Sequence, residues 1–348
     1  MQATYHKHVL DFKRPSGTSR GVLKQKETWF IHLISEGKQG IGECGILRSL
    51  SIDDVPEYEE KLRWTCENIH LGEAALLQEL LAFPSIQFGV EQAFRSLKST
   101  SPYLLHPSAF TEGKEAIDIN GLIWMGDEAF MKSQIKDKLN AGFSCIKMKI
   151  GAIDFETELK LLQSIRKEYS VNDIELRVDA NGAFTPSTAL EKLKRLSELD
   201  LHSIEQPIKQ GQLEEMAMLC EITPLPIALD EELIGVFHSS DKKKVLETIQ
   251  PQFIILKPSL VGGYAGSNEW ISLATEQNID WWITSALESN IGLNAIAQWT
   301  HTLQSKLPQG LGTGSLYTNN FNSPLIIQNG ALRYDTNLSW NVPYIKNA

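Results

Sequence analysis

The feature that most limits what this chain can fold into is a regular beat of β-rich runs between residues 116 and 315. The runs are AIDINGLIWM, SCIKMKIG, IELRVDAN, LHSIEQP, PIALDE, QFIILKPS, IDWWITSALES and QGLGTGS. Each is followed by a polar or Gly/Pro corner, and the corners lead into amphipathic stretches. Markers near the ends of the last seven runs are Lys149, Asp179, Glu205, Asp230, Lys257, Ser285 and Thr313, with gaps of 30, 26, 25, 27, 28 and 28 residues. Such a gap holds one strand, one helix and two loops. Between the runs, Phe155, Leu159, Leu162 and Ile165 form an apolar stripe at helical spacing. Thr185 and Pro186 read as a cap and a first helical position. Eight beats predict an α/β fold of the (β/α)8-barrel type. An open doubly wound sheet is the alternative, but no Gly-x-Gly-x-x-Gly follows the first run.

Residues 1–112 read differently. Alternating runs at residues 28–35 and 40–44 predict a small antiparallel sheet, and LGEAALLQELLAF and VEQAFRSLKST predict helices. This is α+β composition, so a separate N-terminal domain is assigned to 1–112 and the barrel to 113–315. The tail 316–348 carries one more strand-like run, LIIQNGALRY, and is expected to pack back on the N-terminal domain. A chain of 348 residues suits one large domain and one smaller one.

The formal charge, 33 − 43 = −10, argues against partners such as nucleic acid or an anionic membrane. A small anionic substrate would then need cations gathered inside its pocket. The four cysteines are scattered without a Cys-x-x-Cys pair, which fits reduced thiols in a cytoplasmic protein. The first residues lack the apolar core of a signal peptide, and no apolar run approaches membrane length.

In a barrel, the C-terminal strand ends face the active site. Read in order, these ends carry Lys147 and Lys149, then Asp179, Glu205, Asp230 and Lys257. Three converging carboxylates repel one another, and burying them unpaired costs several kcal/mol, so a cation is expected between them. Oxygen-only ligands with open positions suit Mg²⁺. Lys147 and Lys149 lie two apart on one strand and share a face. Beside each other and a divalent metal, their pKa values should fall, which would make a lysine a usable general base. The alternative is that the lysines only neutralise the carboxylates. A base, an opposing cation and a carboxylate-bound metal together suit removal of the weakly acidic proton next to a carboxylate.

The segments KMKIG, RVDAN, IEQP, ALDE and LKPSLVGG resemble the muconate-lactonizing branch of the enolase superfamily, across almost the whole chain. INGLIWMG, FKRPSGTSRG and GLGTGSLYTNN resemble more narrowly the dehydratases of that branch. The resemblance implies a modified TIM barrel whose mouth is covered by the N-terminal part and the tail. It implies Asp179, Glu205 and Asp230 as Mg²⁺ ligands, Lys149 as acid–base catalyst, Lys147 as its tuner and Lys257 as stabiliser of the intermediate from the opposite face. The reaction implied is a syn dehydration of a succinyl-hydroxycyclohexadiene carboxylate. Homo-oligomers are common among such proteins, so a homo-oligomer remains open.

Other residues hold weaker expectations. Asn181 and Glu231 sit beside the ligands and would support them. Gly262 and Gly263 make a tight turn into a helix whose N–H groups can also receive a substrate carboxylate. Ser285 and Thr313 point into the mouth if the strand register holds. Arg20 lies in a Gly/Ser-rich loop and either closes over the substrate or stays exposed. Trp281 and Trp282 read as strand core. N-acylamino acid racemases and dipeptide epimerases of the branch use the same metal and lysines. Dipeptide epimerases carry an Asp-x-Asp at the eighth strand, where this chain has GLGTGSLYTNN.

Overall fold

The computed structural model describes residues 1–18, 21–124 and 126–343. Strands β1 (Gln2–Thr18), β2 (Gly21–Ser35) and β3 (Lys38–Gly45) form an antiparallel sheet in sequence order. Helices α1 (Tyr58–Glu67), α2 (Glu73–Glu79) and α3 (Pro84–Lys98) follow. Helix α3 lies against the backbone of β3 because small residues meet there. A Cβ at Gly42 would come within 1.9 Å of the Gly89 carbonyl oxygen. Strands β1 and β2 form a long hairpin whose pairing runs out to Thr18 opposite Gly21. Arg20 lies outside the described residues.

The beat forms a barrel. After β4 (Ala116–Asp118), strand β5 (Gly121–Ile123) and helix α4 (Glu128–Asn140) begin it. There follow β6 (Cys145–Lys149), α5 (Phe155–Glu168), β7 (Glu175–Asp179), α6 (Pro186–Ser197), β8 (Ser203–Glu205) and α7 (Leu213–Ile222). Next come β9 (Ile227–Leu229), α8 (Ser239–Ile249), β10 (Phe253–Leu256) and the short α9 (Pro258–Val261). The series ends with α10 (Gly263–Glu276), β11 (Asp280–Ile283) and α11 (Asn290–Thr302). Strands β5 to β11 pair in order, all parallel.

Two beats differ from expectation. The first splits, because Asn120 interrupts it: β5 enters the barrel, while β4 pairs with the C-terminal hairpin β12 (Leu325–Gln328) and β13 (Ala331–Tyr334). The eighth, rich in glycine, makes isolated bridges rather than a regular strand. Gln309 bridges Ile119 and Gly310 bridges Thr284, both in parallel. Bonds from Asn120 N to Gln309 O (3.0 Å) and Gly310 N to Ile283 O (2.8 Å) close the ring.

Period-two alternation separates the two faces of the barrel wall. Ile146, Met148, Leu176, Val178, Ile204, Leu229, Ile254 and Ile283 point outward into one large core shared with the helices. Ala228, Ile255 and Trp282 point inward and form a small separate cluster. Trp282 is thus barrel-interior core, and Trp281 is half-buried against the outer core. The tail divides its contacts. Hairpin residues Leu325, Ile327, Leu332 and Tyr334 pack on the barrel core, whereas Phe321 and Val342 cluster with Phe30 and Ile41 of the N-terminal sheet.

Carboxylates join the N-terminal region to the barrel. Glu43 accepts from Ser289 N (2.9 Å) and Gly292 N (2.8 Å) at the start of α11. Glu91 accepts from Tyr264 N and from Ala265 N (2.9 Å) at the start of α10. Both satisfy helix N-terminal N–H groups that have no partner within their own helix.

Candidate active site

The parallel register sets the site. Lys149 lies opposite Asp179, and Asp179 opposite Glu205, so inward-pointing ends of β6, β7 and β8 stand level. Asp230 follows β9 and Lys257 follows β10 directly. These residues converge. Lys147 Nζ is 3.1 Å from Asp179 Oδ2 and in closer contact with Glu205. Lys149 Nζ lies 3.0 Å from Asp179 Oδ2 and 2.6 Å from Asn181 Oδ1. Lys257 contacts Asp230 and stands 3.9 Å from Glu205 Oε1.

Burial sharpens the charges. It would raise Asp179 by itself, but the ammonium groups of Lys147, Lys149 and Lys257 override it and hold the carboxyl well below the usual range. Burial and the neighbouring Asp179 charge push Glu205 up, and burial likewise raises Asp230. For Lys147, burial lowers the pKa, yet Asp179 and Glu205 together lift it above the ordinary lysine value. Lys257 moves the same way through Asp230 and Glu205. The expected downward shift for Lys147 is therefore reversed while the lysines alone compensate the carboxylates.

The donor set fits a hard divalent cation. Asp179, Glu205 and Asp230 are all buried, and Glu205 Oε1 has no hydrogen-bond partner. Lysine ammonium groups lie between the carboxylates, so among the described residues no ready-made group of three metal-ligating side chains stands at one point. A cation bound there would displace ammonium groups from carboxylate oxygens, leaving those lysines less strongly charged.

Supporting residues surround this cluster. Asn181, in a left-handed backbone conformation (φ 43°), accepts from Lys149 and donates to Glu231 Oε1 at 3.1 Å. Gln206 was absent from the sequence expectations. Its Oε1 accepts from Asp230 N (3.2 Å) and Glu232 N (3.3 Å), and its Nε2 donates to Ile208 O and Glu232 Oε2 (both 3.1 Å). It thus holds the turn that carries Asp230. The signal was visible in IEQP, but an amide beside a ligand is uninformative until its partners are known.

One cavity of about 190 Å³ gathers Lys147, Lys149, Asp179, Asn181, Asp230, Glu231 and Lys257. Ser285 and Thr313 also line it, with their hydroxyls 2.6 Å apart. Gly262 does not line it. Its turn faces α3, where an added Cβ would meet Gln87 Oε1 at 3.1 Å, and Glu91 already takes the N–H groups that follow. The expected carboxylate-binding role of Gly262 and Gly263 is therefore filled from within the protein. A cover from the N-terminal part is what the resemblance implies, but the residues that reach the cavity are not legible in the sequence. Leu23, Leu47, Arg48 and Leu50 come from the N-terminal region, and Leu122, Trp124 and Lys138 from the start of the barrel. No local pattern marks Leu47 or Leu50 as pocket residues, because only the docking of the two regions brings them there.

Residues 131–338 match the family described as Enolase C-terminal domain-like, and the chain belongs to that family. Within it, the chain is 46% identical to o-succinylbenzoate synthase of Desulfotalea psychrophila, over 95% of this chain and 98% of that protein. N-succinylamino acid racemase of Thermus thermophilus is 28% identical over 79% of this chain and 75% of that protein. The crystal structure of MenC from Desulfotalea psychrophila superposes with a TM-score of 0.85 at 43% identity, over 96% of this chain and 99% of that one.

Proposed function

We propose that this chain is an o-succinylbenzoate synthase, dehydrating 2-succinyl-6-hydroxy-2,4-cyclohexadiene-1-carboxylate to o-succinylbenzoate, a step of menaquinone biosynthesis in the cytoplasm. The observation that carries this reading is one cavity lined by Lys149, Lys257, Asp179 and Asp230, with the buried Glu205 against Lys147 in its wall. The 46% identity to a named synthase supports the substrate. Residues 1–112 with the tail 316–348 act as the cap over barrel 113–315, a division supported by the cap side chains in the cavity wall.

Asp179, Glu205 and Asp230 would hold Mg²⁺, which supplies Lewis acidity toward the substrate carboxylate. Lys149 Nζ takes the proton from the carbon next to that carboxylate. The same ammonium then gives its proton to the hydroxyl leaving from the same face, so the C–O bond breaks, water departs and Lys149 returns to its starting state. Asn181 orients Lys149 through the 2.6 Å contact. Lys257 stays protonated and places a fixed positive charge near the delocalised ring. Aromatisation supplies the driving force, so one positioned base suffices.

Racemisation is the second reading, because it uses the same groups and has a relative at 28% identity. It demands that both lysines exchange protons with one carbon. The cavity wall from the eighth beat (Gly310, Gly312, Thr313, Ser315 and Leu316) contains no acid to receive a dipeptide ammonium. Assays with the cyclohexadiene substrate, and separately with N-succinyl amino acids in D₂O, distinguish the readings. Dehydration should dominate; α-deuterium incorporation outpacing it in the unmodified enzyme would overturn the assignment.

A further inference from the structure

The dehydratase reading gives the substrate two carboxylates, one beside the reacting carbon and one at the end of the succinyl arm. The lysine–carboxylate cluster accounts for the first only. A second cleft adjoins the cavity and shares with it Leu122, Trp124, Lys138, Ser315 and Leu316. Its cations are Lys13, Arg14 and Lys138, and among its described lining residues there is no acid. That is a marked local excess in a chain of net charge −10.

Three elements build this cleft. In β1, the register with β2 breaks between Asp11 and Ser16. There Phe12 bridges Tyr317 instead, and Lys13 N donates to Leu316 O at 2.8 Å. This anchors Lys13 and Arg14 beside the eighth-beat loop. On α4, Gln134 holds the Trp124 backbone through two bonds of 2.9 and 3.0 Å. One turn later, the half-buried Lys138 lays its stem along Gly121, where an added Cβ would meet its Cδ at 3.1 Å, and its Nζ lies 4.9 Å from the Phe143 ring centre.

Lys147, Lys242 and Lys257 each contact a carboxylate. Among the described residues, no carboxylate ion pair or hydrogen-bond acceptor is found for Lys138 Nζ. Burial pushes its ammonium below the usual lysine range, with Asp137 opposing. A half-buried ammonium without an acidic partner gains most from a ligand that brings one.

We propose that this cleft is the subsite for the distal carboxylate of the substrate, with Lys138, in the wall shared with the active-site cavity, as the residue that contacts it. Lys138 is then a specificity residue, separate from the acid–base machinery.

The test is a binding cycle with Mg²⁺ present. Wild type and Lys138→Met, which keeps the stem and removes the charge, are titrated calorimetrically with o-succinylbenzoate. Both are also titrated with o-butanoylbenzoate, which carries a methyl group in place of the distal carboxylate. Lys138→Met should weaken the dicarboxylate about 10-fold and the monocarboxylate less than about twofold. KM for dehydration should rise about 10-fold with kcat within about threefold, and Lys138→Arg should restore most of the loss. If Lys138→Met does not fold, the double variant Lys13→Gln/Arg14→Gln on the exposed strand should show the same selectivity at about threefold. Equal weakening of both ligands, or none, overturns the subsite. Wild-type protein that fails to dehydrate the cyclohexadiene overturns the functional reading instead, so the two failures are distinct.

Discussion

The two ends of the barrel interior use the same strands for opposite purposes. At the base, β7 presents Arg177, almost wholly buried, with its guanidinium 4.2 Å from the centre of the Trp282 ring. Arg177 donates to Glu175 Oε1 at 2.7 Å and Pro308 O at 3.0 Å, and Cys145 Sγ donates to the same Glu175 oxygen at 3.3 Å. Two residues further along β7, Asp179 belongs to a cluster of three lysines and three carboxylates, of which all but Glu205 line the cavity. The base is plugged by an aromatic ring, and Arg177 there is held by one carboxylate and one backbone carbonyl. Each end keeps one polar atom without a hydrogen bond, Arg177 Nη2 at the base and Glu205 Oε1 at the mouth, but only at the mouth does each lysine share its charge with acids that a metal can claim. Polar burial at the base serves stability, whereas at the mouth it stores capacity for a ligand.

Mutations should separate these ends. The largest effect belongs to Lys149→Ala, expected to lower turnover by about 10²–10⁴-fold while leaving the thermal midpoint within a few degrees. A variant that keeps more than roughly half of wild-type activity moves the base to another residue. Asp179→Asn should follow, shifting the Mg²⁺ concentration for half-maximal activity upward by roughly 10- to 100-fold. A metal titration that superimposes on wild type would remove Asp179 from the ligand set.

At the base, Arg177→Met should cost about 3 kcal/mol of stability, read by denaturant unfolding, with kcat/KM per folded enzyme changed less than about twofold. A large loss of activity at unchanged stability would erase the contrast between the two ends. The smallest effect is a pH slope at the seam between cap and barrel. Burial, against two backbone donors, raises Glu91 from 4.5 to about 7. A carboxyl raised in the folded state contributes stability that is present below 4.5 and is lost as pH rises through about 7. Glu91→Gln lacks that contribution, so its stability relative to wild type should improve between pH 5 and pH 8. Parallel profiles across this window would remove Glu91 as the source of the slope.

Much of this was legible in the sequence, for reasons that differ by residue. Lys149, Asp179 and Glu205 were readable because parallel strands of similar length put their last inward residues level, and the 30- and 26-residue gaps mark those ends. The first and eighth beats were read less well. Short glycine-containing runs carry the period without saying which neighbour they pair with, so β4 and the bridges at Gln309 and Gly310 emerged only from the folded chain. Gly262 misled because a glycine turn before a helix looks like an anion site until the occupant of that helix end, Glu91, comes from 171 residues earlier in the chain (262 − 91 = 171).

The chain's own pattern determined the barrel, the strand ends and the chemical types gathered at its mouth. Each of these depends on spacing along one segment or between neighbouring ones, where strand and helix geometry set the distances. Tertiary structure alone decided the rest. It seated Leu47, Arg48 and Leu50 in the cavity of the catalytic cluster, joined β1 to the eighth-beat loop, and left Lys138 facing a cleft with no acid among its described lining residues. These contacts join segments about a hundred residues or more apart. No local periodicity encodes such a pairing, because it depends on how two separately formed surfaces fit.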